Sequence, residues 1–194
     1  TDGQAQAPRT DGIFVDGTFG RGGHSRALLE RLGSDARLVV FDKDPQAIAV
    51  AQTLASTDRR VSVVHDGFAT IADALDGLGI GQIDGAMFDL GVSSPQLDDA
   101  QRGFSFMRDG PLDMRMDATQ GKTAADIVNS YSEQELARIF KEFGEERYAK
   151  GVAKAIVEAR KTVPFSTSTQ LAGLISKVIP FIPGKSSGHP AKRV

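Results

Sequence analysis

At 194 residues the chain suits one domain with a large insertion or two small domains, and its lack of cysteine excludes disulfides and thiolate metal sites. The three histidines, His24, His65 and His189, are too scattered for a zinc site; no apolar stretch spans a membrane and no signal peptide is visible, so a soluble, cytoplasmic protein without metal is expected. Net charge is −2 but uneven: residues 1–100 carry −7 and residues 101–194 carry +5, so a phosphate backbone, if bound, would meet the second half.

Ile13-Phe14-Val15 reads as a first strand and Ser25 to Leu32 as a helix. Between them lies Asp16-Gly17-Thr18-Phe19-Gly20-Arg21-Gly22-Gly23-His24. Glycines let backbone approach a ligand, and N–H groups at a helix start favour electron-rich oxygens, so a nucleotide-type ligand is expected. A dinucleotide fingerprint starting at Gly20 would need its third glycine at Ser25, which fails. The methyltransferase pattern puts an acid at the end of the first strand and glycines at every second position after it. Asp16, Gly20 and Gly22 match, with Thr18 where the first glycine usually stands.

Arg37 to Asp42 reads as a second strand, and Asp44 caps a helix that has Pro45 at its first position. Val61 to Val64 is the third strand, with a helix near 69–78, and Ile83 to Asp89 is the fourth. Repeated strand-helix units imply a doubly wound, mostly parallel sheet with ligand at the strands' carboxyl ends. Residues 91–123 form a long loop or partly structured segment. Ser132-Glu133-Gln134-Glu135 is a capping box, and Leu136, Ile139, Phe140 and Phe143 repeat at helical spacing until Gly144. Another helix spans about Glu145 to Arg160, and a last one runs from about Thr169 to before Pro180. The domain boundary is set at 103/104, between a cofactor-binding core and a connecting loop with a helical module.

Strand ends supply the candidate chemistry. Asp42, about twenty residues beyond the glycines, suits ribose hydroxyls. Asp66 and Phe68 follow the third strand, where adenine could stack or hydrogen-bond; a turn residue and a core aromatic explain them equally well. Asp89, Ser93, Ser94, Pro95 and Gln96 place an acid, hydroxyls, a proline and an amide beside the expected transferable group. An exocyclic base amine is a poor nucleophile because its lone pair is delocalised into the ring, and hydrogen-bond acceptors that orient it offset this. Asp89 either accepts from that amine or holds the cofactor's methionyl part. Arg102, Arg108 and Arg115 alternate with Phe and Met residues, which suits phosphate pairing and base stacking; a loop packing its aromatics while Arg pairs with Asp is the competing reading. Arg147, Lys150 and Lys154 fall near one helix face, either an RNA contact or a solvated surface. Gly184-Lys185-Ser186 fails as a phosphate loop, which would need glycine at Ile179.

The motifs Asp16 to His24, Asp42-Lys43-Asp44-Pro45, Asp89 to Asp98, Arg102 to Asp117, Gly144-Glu145-Glu146-Arg147 and His189-Pro190-Ala191 together closely resemble the bacterial 16S rRNA (cytosine-N4)-methyltransferase family often called MraW. The resemblance covers about Asp11 to Val194. It implies a Rossmann-like class I methyltransferase fold with the helical half as an insertion. It also implies S-adenosyl-L-methionine as cofactor and N4-methylation of a decoding-centre cytidine of 16S rRNA in the small ribosomal subunit. By matching position it assigns cofactor contacts to Gly22, Gly23, His24, Asp42, Phe68, Asp89 and Gln96, and leaves the oligomeric state open, a homodimer included. Family members continue past the position of Val194 with the remaining strands, and the segment they carry upstream of Asp11 is not recognisable here. The chain is therefore expected to be a fragment, with its fourth strand at a sheet edge. A non-catalytic RNA- or nucleotide-binding fragment and a nicotinamide-dependent oxidoreductase are the alternative readings.

Overall fold

The computed structural model describes residues 10–180 and 189–194, and the chain divides into two compact units, Thr1–Gly91 and Val92–Val194. Gly184, Lys185 and Ser186 lie outside the described residues.

The first unit alternates strand and helix: β1 (Ile13–Asp16), α1 (Gly23–Leu29), β2 (Arg37–Phe41), α2 (Pro45–Thr57), β3 (Val61–Val64), α3 (Ile71–Gly77) and β4 (Gly85–Met87). All pairings are parallel, in the order β3-β2-β1-β4. This is a Rossmann-like, doubly wound arrangement. Leu38 and Val40 pack on one face with Phe19, Leu29, Ala51 and Leu54, while Val39 and Phe41 pack on the other with Val15, Leu75 and Ile80. Burial on both faces explains why β2 is an unbroken apolar run. Asp44 caps α2 as expected, its carboxylate accepting the Gln46 N–H at 2.9 Å. At the carboxyl end of α1, Arg60 donates to the carbonyls of Leu29, Leu32 and Gly33. The helix ends earlier than its sequence pattern suggests.

β4 is shorter than the expected Ile83 to Asp89. It has β1 as its partner and ends the sheet among the described residues. After Met87 the Asp89 N–H turns to the Thr18 hydroxyl rather than continuing a ladder.

The second unit contains α4 (Ser94–Asp98), α5 (Ala124–Ser130), α6 (Glu133–Glu142), α7 (Ala149–Ala159) and α8 (Ser168–Val178). Its core gathers Leu112, Val128, Leu136, Phe140, Val152, Ile156, Phe165 and Ile175. The compact units divide at Gly91/Val92, ahead of the 103/104 boundary expected from sequence, because the intervening loop bonds to the helical module. Arg102, before the expected boundary, is tied to residues after it: Met114 N–H donates to the Arg102 carbonyl at 3.0 Å and the Arg102 guanidinium to the Met116 carbonyl at 2.8 Å, while Leu112 N–H donates to the Ser166 carbonyl at 2.9 Å.

The Ser132–Glu135 capping box opens α6. Phe143, expected on the apolar row, is 77% exposed because the helix ends there. α7 starts at Ala149 rather than near Glu145. Glu145 takes a positive φ of 50°, and the buried Glu146 carboxylate accepts the Tyr148 N–H at 2.8 Å and the Arg193 Nε–H at 2.9 Å. Arg147 therefore lies in a turn, not on the helix face shared by Lys150 and Lys154. His189 stacks on Phe106, ring centres 4.3 Å apart, with its Nε2 3.2 Å from the Ser176 hydroxyl.

Candidate functional site

From β1 the chain crosses to β2 and β3 on one side, then returns to β4 on the other. A parallel sheet opens a ligand crevice beyond the carboxyl ends of its strands at such a reversal. Asp16-Gly17-Thr18 leaves β1 and Phe88-Asp89 leaves β4 at this edge, with Asp42 following β2 and Phe68 following β3.

Two carboxylates organise the glycine turn. Asp16 is 2% exposed and accepts the Thr18 N–H at 3.1 Å and the Ser25 hydroxyl at 2.6 Å. Burial raises its pKa above the usual carboxylate value, against the opposing pull of the Ser25 and Thr18 hydrogen bonds. Asp42 accepts the Gly20 N–H at 2.7 Å on one oxygen and the Asp44 N–H at 2.9 Å on the other. Each oxygen keeps lone-pair capacity for a ligand hydroxyl.

Gly22 differs in role from Gly23. It has a φ of 75°, its N–H donates to the Phe19 carbonyl at 2.8 Å, and a Cβ there would lie 2.5 Å from the Phe19 ring. Gly22 therefore shapes the turn. The N–H groups of Gly23 and His24 have no partner among the described residues, and a Cβ at Gly23 would meet nothing within 4 Å. Donors facing open space beside carboxylate acceptors suit a ligand that carries both a carboxylate and hydroxyls.

The ends of β1 and β4 are tied together. Gly17 N–H donates to the Met87 carbonyl at 3.0 Å, and Asp89 N–H donates to the Thr18 hydroxyl at 2.6 Å. Phe88 lies so close over Gly17 that a Cβ there would be 2.3 Å from its ring. Phe68 meets Phe88 edge-on, with centroids 5.7 Å apart and both rings about half exposed. Sequence reasoning missed Thr18 and Ser25 as parts of this edge; the signal for Thr18 was its place in a glycine position.

A family model described as the MraW methylase family matches residues 4–194. The chain belongs to that family. Among its relatives, the ribosomal RNA small subunit methyltransferase H of Bordetella pertussis (strain Tohama I) is 61% identical over 182 residues, covering 94% of this chain and 50% of that protein. The protein of the same name from Neisseria meningitidis serogroup A is 59% identical over 173 residues, covering 89% of this chain and 53% of that protein. The chain thus spans about half the length of the curated MraW relatives it matches.

The remaining expected residues fall in the second unit. Ser93 is the N-cap of α4, with Ser94, Pro95 and Gln96 in its first turn; the Gln96 side-chain oxygen accepts the Ser93 N–H at 2.9 Å. Ser93 and Gln96 thereby form a capping box, a local structural task beside any ligand contact. Arg102 is 9% exposed and donates to the carbonyls of Arg115 at 3.1 Å and Met116 at 2.8 Å. Arg115 forks onto Asp113 at 2.9 and 2.7 Å, holding that carboxyl below its usual range. Arg102 and Arg115 thus each have a structural task within the loop, as the competing reading of this segment has it. Arg108 donates to the Asp98 carbonyl at 2.8 Å but remains exposed, as do Arg147, Lys150 and Lys154. Among the described residues no cluster of side chains could hold a metal ion, and no helix is long and apolar enough to cross a membrane.

Proposed function

We propose that this chain carries the cofactor-binding core of an S-adenosyl-L-methionine-dependent methyltransferase. Its substrate in this reading is the N4 amine of a decoding-centre cytidine in 16S rRNA of the small ribosomal subunit, and its setting is the cytoplasm. The observation that carries the reading is the edge at the β1/β4 switch point, where unpartnered Gly23 and His24 N–H groups adjoin a glycine turn braced by Asp42, with Asp89 at the end of β4. Membership of the MraW family and relatives named for rRNA methylation support it.

In this reading Gly23 and His24 donate to the cofactor's carboxylate, with Gly22 shaping the turn beneath them. Asp42 accepts from ribose hydroxyls and Phe68 stacks on adenine. The cofactor supplies a methyl group made electrophilic by its sulfonium. Asp89 holds the methionyl part or accepts from the target amine, with Gln96 proposed as a further cofactor contact and Ser93, Ser94 and Pro95 as catalytic residues. Acceptors there would orient a base amine whose own nucleophilicity is poor. Arg108, Arg147, Lys150 and Lys154 are the cations left to meet phosphates.

Calorimetry with S-adenosylmethionine and with NAD tests the cofactor, and binding of NAD alone would overturn the assignment. Asp42→Ala should weaken S-adenosylmethionine binding by on the order of 1.5 to 3 kcal/mol, the worth of hydrogen bonds to a charged group. Unchanged affinity would remove Asp42 from the ribose site. Transfer of labelled methyl groups to unmethylated small subunits tests the reaction; cofactor binding without transfer would leave a binding fragment.

A further inference from the structure

Thr18 stands where the methyltransferase pattern usually has glycine, and a glycine could not make the contact seen there. Its Oγ1 accepts the Asp89 N–H at 2.6 Å. We propose that Thr18 is a positioning residue for Asp89, holding the backbone after β4, and with it the carboxylate, at the edge where the cofactor binds. The inference rests on the cofactor reading above and adds a residue to it.

The segment after β4 has little else to order it. Asp89 is exposed, Leu90 is 70% exposed and Gly91 has a φ of 146°. Few buried contacts make a segment easy to open locally. Among the described residues its anchors are the Met87 carbonyl on Gly17 N–H, the Phe88 ring over the Gly17 backbone and edge-on to Phe68, and the Asp89 N–H on Thr18. Only the last acts at Asp89 itself.

Thr18 is in turn held in place. Its N–H donates to Asp16 Oδ1 at 3.1 Å, and Asp16 Oδ2 accepts the hydroxyl of Ser25 on α1 at 2.6 Å. A series of hydrogen bonds thus runs from α1 through the end of β1 to the end of β4. The buried part, Asp16 and Ser25, is fixed by packing, so the exposed end inherits a defined position. Preorganisation of this kind lowers the ordering cost of binding. A hydroxyl is the requirement, and serine would serve as well as threonine.

The test combines Thr18→Ser, Thr18→Val and Thr18→Gly with Asp89→Ala in the 194-residue chain, measuring S-adenosylmethionine affinity by calorimetry. Thr18→Val and Thr18→Gly should each weaken binding about tenfold, the scale of one lost hydrogen bond. Thr18→Ser should bind as the unaltered protein does. In the Asp89→Ala background Thr18→Val should cause no further loss, because the group it positions is gone. A Thr18→Val penalty that is absent, or equal with and without the Asp89 side chain, overturns the proposal. Hydrogen exchange of the Asp89 amide gives a second readout without ligand. It should quicken in Thr18→Val, and unchanged exchange would also overturn the proposal. Failure of the unaltered protein to bind S-adenosylmethionine would instead sink the cofactor reading.

Discussion

Carboxylates hold loop N–H groups in both units, but among the described residues the guanidinium groups that gather backbone carbonyls number one in the sheet unit, Arg60, and four in the helical unit, Arg102, Arg108, Arg115 and Arg160. Asp16 and Asp42 each gather two donors around the glycine turn, and Asp84 accepts the Ile13 N–H at 2.9 Å. In the helical unit Arg102 bridges two carbonyls, Arg160 donates to the carbonyls of Val128 and Tyr131 at 2.7 Å each, and Arg193 pairs with Glu146. The consequences differ. A carboxylate holding one backbone N–H per oxygen can still accept from a ligand, whereas each guanidinium N–H directed at a carbonyl is one donor fewer for phosphate. The net charge of +5 over residues 101–194 therefore overstates the cations available to RNA. Arg60, in the sheet unit, caps the end of α1 opposite the glycine turn.

The contrast breaks most readily at Arg102. Replacing this buried side chain with alanine leaves the Arg115 and Met116 carbonyls without their charged donor. Arg102→Ala should destabilise the helical unit by on the order of 2 kcal/mol, within the range for hydrogen bonds to a charged group. The urea midpoint of the helical unit reads this. A loss below about 0.5 kcal/mol, the level of an ordinary surface substitution, would free Arg102 for a role outside the fold.

Acidity should separate the two units next. Asp16 has a raised native pKa, so between the unfolded value of 3.8 and that raised value the native state binds more protons. Stability contributed by Asp16 is then present at low pH and falls as pH rises through the native pKa. Asp113 behaves oppositely. The Arg115 fork lowers its pKa, so its contribution is present above the unfolded value and fades as pH drops. Asp16→Asn should therefore flatten the pH dependence of the sheet unit on the acid side while leaving that of the helical unit unchanged, as read by amide exchange in each. Parallel pH curves for Asp16→Asn and the unaltered protein would mean that Asp16 is not carrying the cost of burial.

Much of this was legible in sequence where the cause is local. β2 could be read because both faces are buried, and α2 and α6 because Asp44 and Ser132 cap them with their own side chains. The failures have distant causes. α7 starts late because Glu146 pairs with Arg193, a partner that no local pattern shows. β4 is short because its end bonds to Thr18, which lies 71 residues away. At the candidate site, spacing pointed to Asp42 and to a glycine turn, but not to the difference between Gly22, whose N–H is taken within the turn, and Gly23. Alternation of Arg with Phe could not separate Arg102 and Arg115, directed into the loop, from Arg108 at its surface.

The smallest effect on stability, and the sharpest test of which cations remain, lies on α7. Lys150 and Lys154 are exposed and four residues apart, so they project from one side of the helix. The nearest acids in sequence, Glu146 and Glu158, pair with Arg193 at 2.9 Å and with Lys161 at 2.6 Å. Lys150→Ala with Lys154→Ala should change stability by less than about 0.5 kcal/mol, as surface substitutions do. If both lysines neutralise phosphates, the same pair should lower the slope of log affinity for small-subunit RNA against log salt by about 2. S-adenosylmethionine affinity should not move, because these lysines and the glycine turn belong to different compact units. An unchanged slope would make α7 a plain solvated face. Arg102→Ala should show the reverse signature, lost stability with little change of slope once the helical unit is folded. A protein in which both variants altered the slope equally would erase the distinction between arginines that build the loop and lysines that reach outward.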